Sequence, residues 1–202
     1  MFQRLTPVTK NLIIINVVVF VMIFIMQRSY INIPEYLPLY NPRTANFQPF
    51  QLVTSMFTHF QPFHILFNMI GLYFFGPLVE QRIGGQKTFI AYIAGGLFSA
   101  IVFLLFYTFI KSSNFALLGA SGSVYTILIL AALYFKNAKV RLLFPPVTMT
   151  LGLMALLYIG YDVISFLGRS NSGVAHLAHL GGAAMGGLLW MIWEKGLGKK
   201  GR

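Results

Sequence analysis

Apolar residues in this chain come in six long runs separated by short polar links, without the alternation of a half-buried strand. The runs cover about residues 11–27, 60–79, 88–110, 116–135, 147–168 and 174–193. A helix needs about 20 mostly apolar residues to cross the bilayer core, so each run meets or approaches the requirement for a membrane span. The predicted fold class is an all-α membrane protein, a six-transmembrane-helix bundle. The first run, NLIIINVVVFVMIFIM, is short and follows Arg4 and Lys10, as the core of a signal peptide would. Gln27-Arg28-Ser29-Tyr30 after it is a poor cleavage site, so it reads as a retained span.

Composition fits this pattern. Apolar residues make up 57% of the 202, charged residues 9%, and the mean hydropathy is +0.73. Soluble domains average about 25% charged residues, so the solvent here is lipid. The length fits one compact membrane domain over 1–202, with no room for a soluble second domain. Cysteine is absent, which excludes disulfides, thiolate metal sites and a cysteine nucleophile.

The formal charge of +11 is explained by topology. Six spans put both termini on one side. That side carries Arg4, Lys10, Arg82, Lys87, Lys136, Lys139, Arg141, Lys195, Lys199, Lys200 and Arg202, eleven residues in all. The other side has four, Arg28, Arg43, Lys111 and Arg169. By the positive-inside rule the termini are cytoplasmic. The excess charge then faces anionic lipid headgroups, not nucleic acid. The longest outer link, about residues 28–59, holds NIPEYLPLYNPRTANFQPF, with four prolines and four aromatics. So apolar a loop is expected to lie in the membrane interface.

Topology gives each unusual residue a depth. His59 and His64 lie at the outer end of span 2, and His176 and His179 at the outer end of span 6. Ser121 and His179 each fall about five residues into an inward-running span, roughly 8 Å below its outer end at 1.5 Å per residue. Asn68 follows His64 by four residues and shares its face. Polar residues inside spans are costly and usually face a protein interior or a water-filled cavity. The stretch GASGSVY, Gly119 to Tyr125, allows two readings. Its small residues, with Gly182 and Gly186 in span 6, suit close helix packing. Alternatively, Ser121 is a nucleophile activated by a histidine base, with Gly119 and Gly122 leaving space for a peptide to approach. Under the second reading, backbone N–H groups at the start of span 4 would receive developing negative charge. Asn68 can also be interhelical glue and the histidines interfacial hydrogen-bonders. A metal site is not supported: there is no HExxH pair and no carboxylate at this level except Asp162.

Three blocks in order resemble the rhomboid intramembrane serine proteases, in a minimal six-span prokaryotic-type form. Span 2 has His59-x(4)-His64-x(3)-Asn68 and ends in a Glu80-x-Arg82-x-Gly84 turn; span 4 has Gly119-x-Ser121-Gly122 with Tyr125 one turn on. Span 6 has Ala178-His179-x-x-Gly182-x-x-x-Gly186. The likeness covers about residues 50–190. It implies a dyad of Ser121 and His179 with no third acid. Tyr125 would pack on the His179 imidazole and orient it. The resemblance assigns the oxyanion hole to His64, Asn68 and the Ser121 backbone N–H, and leaves His59 structural or holding water. Glu80 and Arg82 would tie down the cytoplasmic turn.

Two features depart from the family pattern. A Trp-Arg pair usual before span 2 is replaced by Phe50-Gln51, so an anchoring ion pair there is lost. His176 also stands one turn before His179, but only His179 has Gly182 and Gly186 in register. Asp162, the one acid within a span, is assigned a structural hydrogen bond or a lateral-gate role. The expected function is a serine endopeptidase cleaving single-span membrane proteins near the outer end of their helix. Substrate would come in between spans 2 and 5, under a flexible cap at 167–173. The expected location is a bacterial plasma membrane, with the site opening to the outer face. No cofactor or metal is implied; the partners are transmembrane substrates and lipids. The alternatives are an inactive rhomboid-like protein that binds client helices, or a small transporter. An inactive relative is expected to lack Ser121 or His179, and a transporter to place its polar residues at the midplane.

Overall fold

The computed structural model describes residues 4–29, 33–111, 116–141, 146–168 and 175–194. Among them run α1 (Pro7–Arg28), the short α2 (Gln51–Thr54), α3 (Pro62–Ile83), α4 (Gly85–Leu105), α5 (Ser121–Tyr134), α6 (Leu151–Leu167) and α7 (His176–Glu194). By length and composition α1, α3 and α4 with its π-helical extension to Lys111 can cross a membrane, whereas α5 and α6 are shorter apolar helices.

Local chemistry explains where the helices begin. Pro7 and Pro62 open α1 and α3, where a missing N–H is no loss. The first turn of α1 finds its acceptor on another helix. The Glu80 carboxylate of α3 accepts from the Val8 and Thr9 backbone N–H groups at 2.9 and 2.8 Å and from both threonine hydroxyls, Thr6 and Thr9. Gly84, at φ +84°, is the entire link between α3 and α4. A side chain is disfavoured in that conformation. Arg82 beside it reaches Glu194 at the end of α7, 3.6 Å away.

α5 forms the centre. Ten of its 14 residues are buried, so it needs no polar face, and it packs against α3, α4, α6 and α7. The outer helices turn large apolar residues outward; Phe63, Ile164 and Leu167 are each 72% exposed. Exposed apolar surface of this extent is stable against lipid and not against water.

The long loop after α1 is built as structure. Strand β1 (Leu39–Tyr40) pairs antiparallel with β2 (Ala116–Leu117), tying the loop to the segment that leads into α5. Gln51, fully buried, donates to the carbonyls of Tyr36 and Asn46 and accepts from the N–H groups of Tyr40 and Gln48. The position that lacks an anchoring charge is therefore anchored by one amide with four partners. A second small hairpin pairs β3 (Lys139–Arg141) with β4 (Thr148–Thr150).

The structure moves one predicted boundary that matters. The fourth apolar run was expected to be helical from 116, but residues 116–117 pair with β1 and Gly119 takes a positive φ of 110°. Ser121 is consequently the first residue of α5 and not the fifth or sixth. His179 is the fourth residue of α7. The cap expected at 167–173 lies outside the described residues beyond Gly168.

Candidate active site

The turn that presents Ser121 is held from the preceding loop. The Gly119 N–H donates to the Ser55 carbonyl at 2.9 Å, and the Ala120 N–H to His59 Nε2 at 3.2 Å. Burial pushes the His59 imidazole down to about 4, aided by the neighbouring His64, so the ring is neutral at neutral pH, and the Ala120 N–H facing Nε2 makes that nitrogen the acceptor. Gly119 is required twice over. Its φ is that of a left-handed residue, and a Cβ would fall 2.5 Å from ring atoms of His64. Ser121 then opens α5, where its N–H has no carbonyl of its own helix to bond.

α7 reaches this turn because glycine permits it. A Cβ at Gly182 would sit 2.1 Å from the Gly122 carbonyl oxygen, and one at Gly186 2.8 Å from the Thr126 carbonyl. The helices thus touch backbone to backbone, as small residues allow. Two hydroxyls fix the register: Thr126 donates to the Gly182 carbonyl at 2.7 Å, and Ser99 of α4 to the Ala178 carbonyl at 2.6 Å. Gly122 is bare where Ser99 stands; a Cβ there would fall 2.2 Å from the Ser99 hydroxyl.

These contacts bring His179 Nε2 to 2.9 Å from Ser121 Oγ. The Tyr125 ring stacks on the imidazole, with centroids 4.4 Å apart and planes 16° from parallel. His176, one turn before His179, points its Nδ1 to Asp162. Ser123 is fully buried toward α4, where a Cβ on Gly96 would lie 2.6 Å from its hydroxyl. Space against Ser121 is small. The cavity there is about 10 Å³, lined among others by Ser55, Gly119 and Gly122, near the minimum for one water.

The remaining predicted residues are adjacent. The His64 ring lies against Gly119 and meets the His59 ring edge-on at 5.0 Å. Asn68 is buried, and its amide nitrogen makes both of its bonds locally, to the His64 carbonyl at 3.0 Å and to His59 Nε2 at 3.2 Å.

The structural hydrogen bond assigned to Asp162 is present, and it is made to the site itself. The resemblance implied no third acid, yet Asp162 Oδ1 of α6 lies 3.1 Å from His179 Nδ1 and 2.6 Å from His176 Nδ1. Its other oxygen accepts from the Tyr125 hydroxyl. A carboxylate that is 1% exposed has to collect donors, and these three side chains supply them. Asp162, His176 and His179 also offer three atoms within 4.8 Å of one another, as a metal site would. The spacing is too tight. Two ligands about 2.0 Å from a tetrahedral ion stand roughly 3.3 Å apart, whereas the His176–Asp162 contact is 2.6 Å, the length of a hydrogen bond.

Comparison with known proteins gives a consistent family. Residues 46–195 match the Rhomboid domain. RHOMBOID-like protein 12, mitochondrial, of Arabidopsis thaliana is 31% identical over 94% of this chain and 59% of that protein. Rhomboid-like protein 16, chloroplastic, of the same plant is 29% identical over 72% of this chain and 49% of its own length. Rhomboid protease GlpG of Yersinia pestis is 26% identical over 93% of this chain and 63% of its own. The chain spans about half to three-fifths of the length of these relatives.

Proposed function

The chain belongs to the rhomboid family, and from that premise we propose that it is an intramembrane serine endopeptidase acting through Ser121 and His179. The single observation that carries the reading is the 2.9 Å separation of Ser121 Oγ and His179 Nε2 in a site built for both. A histidine within hydrogen-bond reach is what turns a serine hydroxyl into a nucleophile. Ser121 attacks the scissile carbonyl while His179 takes its proton at Nε2. The proton is then passed to the leaving amine, which departs, and an acyl-enzyme remains on Ser121. Water, deprotonated by the same imidazole, releases the second product.

Charge on the tetrahedral intermediate falls next to the first turn of α5. The Ser121 N–H and the His64 ring are the donors in this reading. Asn68 acts through its neighbours, because both of its amide hydrogens are engaged by His64 and His59. Donors of this kind commonly contribute about 10²–10³ in rate.

The six apolar runs, with both termini cytoplasmic, make the chain a six-span membrane domain whose site opens outward. Its substrates are single-span membrane proteins cut near the outer end of the helix, where an unwound stretch can expose a peptide bond. Substrate approaches between α3 and α6. The outward face of α6, with Leu156, Ile164 and Leu167 exposed, supports that direction.

Fluorophosphonate labelling of the purified protein in detergent, followed by peptide mapping, tests this. The probe needs both an activated serine and a donor pocket. Label is expected on Ser121, lost in Ser121→Ala and in His179→Ala, and kept in His176→Ala. Folded protein that takes no label at neutral pH favours the inactive client-binding reading.

A further inference from the structure

The reaction as proposed leaves Asp162 without a part, although it is the most completely buried charged group at the site. Its position makes a demand on the dyad. His179 Nε2 can accept the serine proton only if it carries none itself, so the neutral ring must hold its one proton on Nδ1. Nδ1 faces Asp162 Oδ1 at 3.1 Å. The Tyr125 stack does not settle this question. A ring lying flat on another ring keeps the same stacking when it flips by 180°, and the stack is indifferent to which nitrogen is protonated. A carboxylate is not indifferent, since it accepts hydrogen bonds and donates none.

We propose that Asp162 is a positioning residue for His179, so that this chain works as a Ser121–His179–Asp162 triad rather than a bare dyad. Asp162 holds the Nδ1–H tautomer, stops the ring from flipping, and stabilises the imidazolium formed when Ser121 is deprotonated. That last effect is large where water is scarce, because charge interactions strengthen as the dielectric falls. The carboxylate is itself fixed from two further directions. His176 Nδ1 approaches the same oxygen at 2.6 Å, and the Tyr125 hydroxyl donates to the other. Tyr125 therefore serves the imidazole twice, through its ring face and through Asp162. His176, which the packing glycines exclude as the base, gains a role in holding the acid.

The inference rests on the Ser121–His179 reading, and its test separates the two. Asp162→Asn, His176→Gln and the double variant would be compared with wild type in proteoliposomes on a single-span reporter, alongside fluorophosphonate labelling in detergent. In soluble triads the equivalent acid-to-amide change lowers kcat about 10⁴-fold. With the Tyr125 stack retained, a loss of about 10²-fold or more in kcat is expected for Asp162→Asn, with KM within about threefold. His176→Gln is expected to cost less, and the double variant no more than Asp162→Asn alone, since residues acting through one another are not additive.

A readout independent of folding in the variant comes from ¹⁵N-histidine NMR of the wild-type protein, with His179 assigned by comparison with His179→Gln. The expected spectrum is the Nδ1–H tautomer. An Nε2–H tautomer in wild type, or an Asp162→Asn enzyme with unchanged kcat and labelling rate, overturns the positioning role while leaving Ser121 and His179 in place. Wild-type protein that takes no label at Ser121 instead removes the nucleophile assignment beneath it.

Discussion

The contact between α5 and α7 makes Gly182→Ala a sharp test of how the site is held. An alanine Cβ at this position falls 2.1 Å from the Gly122 carbonyl oxygen and 3.0 Å from its Cα. Ordinary contact begins near 3.4 Å, so the helices must part by about 1.3 Å. Both partners are backbone, and no rotamer change relieves the clash. His179 stands one turn earlier on the same face of α7 and moves with it. Adding that displacement to the 2.9 Å contact gives up to about 4.2 Å between Nε2 and Ser121 Oγ, past hydrogen-bond reach. A misplacement of this size costs about 10²-fold in rate, while overpacking costs about 1–3 kcal/mol of stability. The protein should therefore remain folded and lose activity. Cleavage of a single-span reporter in proteoliposomes, with thermal unfolding in detergent, measures both. Gly187→Ala on the same helix is the control, because nothing lies within 4 Å of a Cβ there. A Gly182→Ala enzyme that cleaves within threefold of wild type would refute the claim that this contact sets the dyad distance.

Ser123→Ala should cleave at close to the wild-type rate, since its hydroxyl is buried toward α4 away from His179; a dead variant would move the nucleophile. His64→Ala should lower kcat by about 10- to 1000-fold with little change in KM, and an unaltered kcat would remove His64 from the oxyanion site. His59 titrates at about 4 in the folded protein against 6.5 when free. Its contribution is thus complete above pH 6.5 and lost as pH falls toward 4, on the order of 3 kcal/mol. Thermal unfolding followed from pH 7 to 4.5 should show a smaller acid-induced drop in His59→Gln than in wild type; equal drops would contradict a buried neutral imidazole.

The helical architecture was legible because lipid imposes a coarse, long-range pattern: an apolar run of span length is visible without any partner. Fine boundaries were not legible for the same reason. Ala116 and Leu117 are as apolar as a span, so composition extended the fourth run over them. Their pairing with Leu39 and Tyr40, more than 70 positions earlier, is a long-range contact that no local pattern announces. Gln51 shows the converse error. Counting charges makes it a missing anchor, but a buried amide with two donors and two acceptor lone pairs holds the loop by four hydrogen bonds without an ion pair.

At the site, the two readings of the glycine-rich stretch do not exclude one another. Gly122 and Gly182 are packing residues, and their packing is what carries His179 to Ser121. A test of the sequence that sets close helix contact against catalysis therefore poses a false choice wherever the base and the nucleophile ride on different helices. Asp162 makes the structural hydrogen bonds assigned to it, but its partners were not legible, for a related reason. Its partners lie 14 and 17 positions away on the next helix and 37 positions back on α5, so no fixed spacing marks the group. The usable signal was energetic. A carboxylate inside an apolar span must find donors or give up its charge. The donors already placed near that depth were the two histidines of α7 and the tyrosine one turn after the serine. That requirement by itself points the lone acid of α6 to His176, His179 and Tyr125.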